Sequence, residues 1–327
     1  MRILRYSRDI ISQSTIFGEI YEYIESRRSI IDKKILDEIK DYETEIKEIA
    51  RYITDGGKRL RGVLTILVSE ALGGSIDEAL DAAVAIEMVH SASLALDDII
   101  DKDLFRRGRP STWIRYGISQ TVLVSNFLIP KAQLMIKRYG FEALLNVIQS
   151  WLHATLGEIL DAFGSLERLL PHDYERIIDL KTGSVFKMAA YLGAKASKAS
   201  EEIAGKISDY GEYLGRSYQV ADDLTDVLSE DPDKKKSNSV RLFIRWIGYE
   251  DRELLVNEAS KRIIYYLERC LEKVKDVSRN RYSEYLIVFP VFAVYSILRE
   301  AGEVGLKIFY EKIYPNINIM YTKIIEK

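Results

Sequence analysis

Residues 76–104 are apolar on every face of a helix: Ala79, Leu80, Ala83, Val84, Ile86, Val89, Leu94 and Leu96 leave no side that prefers water. A helix of that kind belongs at the centre of a large bundle. Ser75, with Glu78 three residues on, supplies a capping box to open it. The surrounding chain agrees, because only 6 prolines interrupt 327 residues, which suits long helices. Over 35–53, Ile35, Ile39, Tyr42, Ile46, Ile49 and Ile53 step by fours and threes, predicting one helix with a single buried stripe. Gly56-Gly57 stops it, since glycine tolerates the left-handed cap. A helix over 64–72 ends likewise at Gly73-Gly74, and Ile203, Ile207, Tyr210, Leu214, Tyr218 and Ala221 repeat the step further on. No strand alternation, repeat or Gly/Ser linker divides the chain. The expectation is one all-α domain over 1–327, with 229–239, where Asp231-Pro232-Asp233 meets Lys234-Lys235-Lys236, as its flexible segment.

Lys+Arg total 47 against Asp+Glu 50, a formal charge of -3, so no basic excess argues for nucleic acid. Cys270 is alone, which excludes a disulfide framework and a Cys-rich metal site. His90, His153 and His172 have no zinc-like spacing. A reducing, cytoplasmic location follows. Arg2, Arg5 and Arg8 read as an ordinary helical face rather than a transit peptide, and no secretory core precedes them. The most apolar stretch, 286–298, is interrupted by Pro290 and falls short of the roughly 20 residues a spanning helix needs. A soluble protein without a transmembrane segment is expected.

Two acidic clusters carry the chemistry. Asp97, Asp98 and Asp101 follow Leu94-Ala95-Leu96, and the same spacing recurs in Asp222, Asp223 and Asp226 after Tyr218-Gln219-Val220-Ala221. Residues four apart share a helix face, so Asp97 and Asp101 point the same way, as do Asp222 and Asp226. Acids in mid-helix beside an apolar seam are unfavourable unless compensated, and Mg2+, which takes a few carboxylates plus phosphate oxygens, compensates them. Two solvated acidic patches are the plain alternative. Basic residues weigh against it: Lys58 and Arg61 lie at a helix start that already favours an anion, Arg106 and Arg107 follow the first cluster, and Lys181-Thr182-Gly183 precedes another apolar helix. Each could be solvated or paired locally, Arg106 and Arg107 with Asp101 and Asp103. Together with the acids they suggest a cavity for two diphosphates.

In this order, Gly56 to Arg61, Asp97 to Asp101 with Arg106-Arg107, Gly157 to Asp161, Lys181-Thr182, and Tyr218-Gln219 before Asp222, the chain resembles the trans-prenyl diphosphate synthases over roughly 46–236. Within that family, 86–101 looks most like the archaeal hexaprenyl-type enzymes. The resemblance implies an isoprenoid-synthase helical bundle around a central apolar tunnel, acting as a homodimer. It also implies ionisation of an allylic diphosphate, attack by the double bond of isopentenyl diphosphate, and proton loss. The six aspartates would hold magnesium, with Asp97, Asp101 and Asp222 also counted as catalytic beside Lys181. Arg106, Lys181, Thr182, Gln219 and Lys236 would bind the allylic diphosphate; Lys58, Arg61, His90 and Arg107 would bind isopentenyl diphosphate. Three departures stand out: Asn238-Ser239-Val240 replaces the usual Gly-x-Asp and second lysine, Glu158 stands where glutamine is frequent, and Leu96 replaces a histidine.

A non-catalytic subunit of a two-component synthase would share the fold but usually lacks one or both acidic clusters, and both are complete here. A class I terpene cyclase would not need Lys58, Arg61 and His90, and a purely structural bundle would not need the aspartates. The resemblance implies that product length turns on Ala92 and Ser93, which lie roughly 7.5 and 6 Å below Asp97 along the helix and are too small to close a tunnel. Ile86, roughly 16 Å down, would line its lower part, and Leu156 or Leu160 of a neighbouring helix could close it instead. The expected product exceeds geranylgeranyl diphosphate and approaches the hexaprenyl class, the alternatives being a geranylgeranyl or geranylfarnesyl diphosphate synthase.

Overall fold

The all-round apolar segment folds as a helix enclosed by others. A computed structural model describes residues 15–163, 168–229, 238–277 and 280–325. Helices α1 (Thr15–Ile39), α2 (Thr44–Thr54), α3 (Leu60–Ala71) and α4 (Ile76–Ile100) lead into two short antiparallel strands, β1 (Phe105–Arg106) and β2 (Arg109–Pro110). The short α5 (Thr112–Tyr116) and the long α6 (Ile118–Met135) and α7 (Phe141–Phe163) follow. Next come α8 (Asp173–Ile178), a wide π-helical turn (Asp179–Gly183), α9 (Ser184–Ala196) and α10 (Glu201–Leu228). The C-terminal part contains α11 (Asn238–Ile247), α12 (Arg252–Val274), α13 (Arg281–Leu298), α14 (Gly302–Ile308) and α15 (Tyr314–Ile325).

α3 is the most enclosed element, with Arg61 its one residue not fully buried. α4 packs on α3, α6 and α9, while α10 packs on α9, α12 and α13. The two acidic helices therefore lean on a common neighbour, α9, and one connected apolar core runs from Ile20 to Ile317. The capping box of Ser75 and Glu78 is formed. The apolar stretches of Ile76–Ile100 and Arg281–Ile319 are long enough to cross a membrane, but 61% and 67% of their apolar windows are buried inside the bundle.

Several boundaries differ from those read in the sequence. The stripe over 35–53 spans two helices, broken by a turn in which the Tyr42 N–H donates to Ile39 O at 3.2 Å. Ile35, Ile39, Ile49 and Ile53 are nevertheless all buried. An apolar stripe reports which side is buried, and both helices bury the same side. The helix expected over 64–72 begins earlier, at Leu60, and Ile203 is exposed although its successors on α10 are not. The helix expected over 76–104 stops at Ile100 in a Schellman closure: Lys102 is left-handed at φ 60° and the Asp103 N–H reaches Asp98 O at 2.9 Å. No glycine announces that stop. Pro290 does not end its helix but lies within α13. The Leu286 carbonyl, which loses its usual i+4 donor to the proline, accepts the Tyr210 hydroxyl at 2.7 Å.

Candidate active site

Both acidic clusters lie at helix C-termini rather than in mid-helix. Asp97 and Asp98 occupy the last turn of α4 with Asp101 as its C-cap, and Asp222, Asp223 and Asp226 occupy the last two turns of α10. That is the negative end of the helix dipole, where carboxylates are disfavoured and cations favoured. Burial raises the pKa of Asp97 to about 7, and the Glu158 charge adds to it. Burial likewise raises Asp223 to about 8 and pushes Asp98 and Asp101 upward. Asp98 is buried and paired with Arg106, which also lies 3.5 Å from Asp103. Asp223 is buried and accepts from the Tyr174 hydroxyl and from Gln219 Nε2 at 3.2 Å. The Thr182 hydroxyl donates to Gln219 Oε1 at 2.6 Å, completing a chain from Thr182 through Gln219 to the second cluster.

Among the described residues the acids are not gathered into a closed metal cage. Lys181, in the π-helical turn, acts electrostatically on Asp97 and Asp101 of the first cluster. Its Nζ lies 2.7 Å from Glu158 and 2.9 Å from Asp161. Asp161 acts electrostatically on both Asp101 and Asp223.

The arginines are shown by tight turns. Arg107 (φ 55°) and Gly108 (φ 74°) form the two-residue link between β1 and β2, the left-handed pair that short hairpins need. The Arg107 side chain then crosses Gly56 (φ 77°) and Gly57 (φ 100°), where added Cβ atoms would sit 3.4 and 3.0 Å from it. Both glycines are needed for conformation, and Gly57 also for space. The Arg107 guanidinium is held below the ordinary arginine pKa by desolvation and by Arg59 and Arg106, a crowding of positive charge that an anion relieves.

Arg61 stacks on Phe186 at 4.6 Å and lies 2.9 Å from His90 Nε2, and its own buried Nε has no hydrogen-bond partner among the described residues. Arginine only donates, so His90 accepts at Nε2 and carries its proton on Nδ1. Burial and the Arg61 charge hold His90 well below its ordinary pKa, and it is neutral. Lys58 turns away from this group, to Ser296 O at 3.1 Å and Glu300 at 2.6 Å.

Of the chain-length candidates, Ser93 is half-buried on the face of α4 that carries Val89, Leu96 and Asp97, and its hydroxyl donates to His90 O. Ala92 and Ile86 are enclosed, at 0% and 6% exposure. Leu156 lies on the exposed face of α7, while Leu160 packs against the core. Lys236 and most of the 229–239 segment fall outside the described residues. Sequence reading assigned no role to Arg59, Glu87, Tyr174 or Asp161. Glu87, an acid inside an apolar helix, is detectable by the same logic as the aspartates. Nothing in the local sequence marks Tyr174.

An all-helical bundle with two acidic helix ends facing a set of cations defines the class: an isoprenoid-synthase fold. Solved structures agree, among them the geranylgeranyl pyrophosphate synthetase of Geoglobus acetivorans, at TM-score 0.73 and 26% identity, covering 83% of this chain and 99% of that one. The family model for polyprenyl synthetase matches residues 43–239. The hexaprenyl pyrophosphate synthase of Saccharolobus solfataricus is 34% identical over 290 residues, 86% of this chain and 98% of that protein. The geranylfarnesyl diphosphate synthase of Methanosarcina mazei is 37% identical over 184 residues, 56% of this chain and 62% of that protein. The chain belongs to the polyprenyl synthetase family, the trans-prenyl diphosphate synthases, and is a prenyltransferase.

Proposed function

We propose that the protein condenses isopentenyl diphosphate with an allylic diphosphate, with Mg2+, to make an all-trans polyprenyl diphosphate longer than geranylgeranyl, near the hexaprenyl class. The observation that carries the metal reading is the siting of six carboxylates at two helix C-termini, four of them with raised pKa values. Burial disfavours the charged form of these carboxylates, and hard oxygen ligands grouped in this way suit a small divalent cation. Asp97, Asp98, Asp101, Asp222, Asp223 and Asp226 would hold it, and when bound it would stabilise the departing diphosphate.

The chain's own residues do the rest. Lys181 and Arg106 flank the first acidic cluster on the allylic side, with Thr182 and Gln219 fixing the second. Arg61, oriented by neutral His90, and Arg107, raised on its hairpin, suit the second diphosphate; Lys58 must leave Glu300 to join them. The allylic C–O bond breaks, the isopentenyl double bond forms the new C–C bond, and the released diphosphate takes the proton. Half-buried Val89, Ser93 and Leu96 flank Asp97 and screen the cationic carbon from water.

Ser93, small and half-buried on the face of α4 that carries Asp97, supports a tunnel that continues past the first few isoprene units. A second copy of the chain is the proposed partner. An apolar stripe of Leu145, Ile148, Leu152, Leu156, Ile159 and Phe163 runs exposed along α7, more than a solvated helix face carries. One domain over 1–327 and a reducing, cytoplasmic setting remain the reading, supported by the connected core and by buried Cys270. Labelled isopentenyl diphosphate offered with primers of increasing length, and products sized by chromatography, tests the product class. Chains beyond geranylgeranyl are expected, shortened by Ser93→Phe and, less strongly, by Ala92→Phe. A wild type that stops at geranylgeranyl diphosphate, unchanged by either substitution, overturns it.

A further inference from the structure

Lys181 has one carboxylate more than it needs. Glu158 and Asp161 lie one turn apart on α7, each 14% exposed, and both reach its Nζ, at 2.7 and 2.9 Å. Gly157 makes this approach possible, since a Cβ there would sit 2.7 Å from Lys181 N. Asp161 alone balances one ammonium, so the Glu158 charge is surplus. It acts on the neighbours: Glu158 is the foremost charge bearing on Asp97, and it bears on Asp101 as well.

Lys181, Glu158, Asp161, Asp97 and Asp101 thus form a group of one cation and four acids. A diphosphate arriving without a counter-ion meets net negative charge there, and the ammonium that should attract it has two of its three donors occupied. Divalent cations on the aspartates offset that negative charge, and the ammonium's third donor can then take a phosphate oxygen.

We propose that Glu158 is a charge gate: its surplus carboxylate weakens the binding of a bare diphosphate at Lys181 and so sharpens the dependence of diphosphate binding on the divalent cation. This rests on the metal and diphosphate reading given above. Glu158 is a positioning residue acting through Lys181 and the aspartates, and it takes no part in bond making. It differs from a further metal ligand in one respect: removing a ligand weakens binding with the cation, whereas removing a gate strengthens binding without it.

The test is calorimetric titration of the full chain with inorganic pyrophosphate, with Mg2+ and separately in chelator. Glu158→Gln keeps the shape and hydrogen-bonding capacity while deleting the charge. Its metal-free affinity for pyrophosphate is expected to rise roughly tenfold or more, as one nearby unit charge at intermediate dielectric requires. The ratio of affinities with and without Mg2+ should contract accordingly. Glu158→Asp, which restores the charge, should behave as the wild type. Asp161→Asn removes the other acid and should shift the metal-free affinity in the same direction, which keeps the test intact if Glu158→Gln does not fold. Metal-free binding in the Gln variant equal to or weaker than the wild type overturns the gate while leaving the diphosphate site standing. A wild type that fails to bind pyrophosphate even with Mg2+ overturns the underlying reading and the gate with it.

Discussion

Replacing Arg59 by methionine should destabilise the protein more than almost any other single change near the site. Arg59 is 3% exposed and sits at the N-cap of α3 in a left-handed conformation, φ 53°. Its guanidinium joins three other helices: Asp32 of α1 at 2.8 Å, the Thr54 carbonyl of α2, and Ser91 and Glu87 of α4 at 3.3 and 3.7 Å. Glu87 is itself 3% exposed and keeps one other bond, from the Gly62 N–H at 2.7 Å. Methionine fills similar space but leaves that carboxylate buried without its cation. Breaking a buried pair from one side costs about 3–5 kcal/mol, against a total stability of roughly 5–15 kcal/mol. Glu87→Gln in the Arg59→Met background removes the stranded charge and should recover about half of the loss. Urea denaturation measures the wild type and both variants, with the slope against urea unchanged if only stability moves. A loss below ~1 kcal/mol for Arg59→Met, or no recovery in the double variant, would refute the reasoning.

Other outcomes follow from the same structure. Asp223 and Asp97 have folded pKa values of about 8 and about 7, above the model-peptide 3.8. The stability they contribute is therefore full below pH 4 and is lost as pH rises through 7 and 8. Metal-free wild type should lose on the order of a few kcal/mol relative to Asp223→Asn between pH 5 and pH 8, read by denaturant titration; parallel pH profiles would contradict this. Asp97→Ala and Asp222→Ala should each lower turnover by orders of magnitude with folding intact, and near-normal turnover in either would remove it from the site. Leu152→Glu on α7 should convert a dimer to a monomer in sedimentation, and an unchanged mass would move the interface elsewhere.

The helical class was legible because threes-and-fours patterning survives any arrangement of the helices, and the acidic clusters because carboxylates beside an apolar run are conspicuous. Helix ends were less legible. Lys102 closes α4 in a conformation glycine usually takes, and the Tyr210 hydroxyl lets Pro290 sit inside α13. Both are tertiary decisions that local sequence does not carry. The same holds for Tyr174, which reaches Asp223 from 49 residues away, and for Lys58, which is drawn to Glu300. The side-chain chemistry of the site is legible one residue at a time, and so is the local Arg106–Asp103 pair, but the long-range pairings are not.

The central claim is that the two acidic clusters hold cations on one shared diphosphate, and Mn2+ binding in the presence of pyrophosphate tests it most directly. Electron paramagnetic resonance counts bound Mn2+ in the wild type, Asp97→Ala, Asp222→Ala and the double variant. Sharing predicts that pyrophosphate promotes Mn2+ binding, that each single variant loses most of this promotion, and that the double variant loses little more. Independent clusters would instead give losses that simply add, and Mn2+ binding indifferent to pyrophosphate in every variant would contradict the shared site outright.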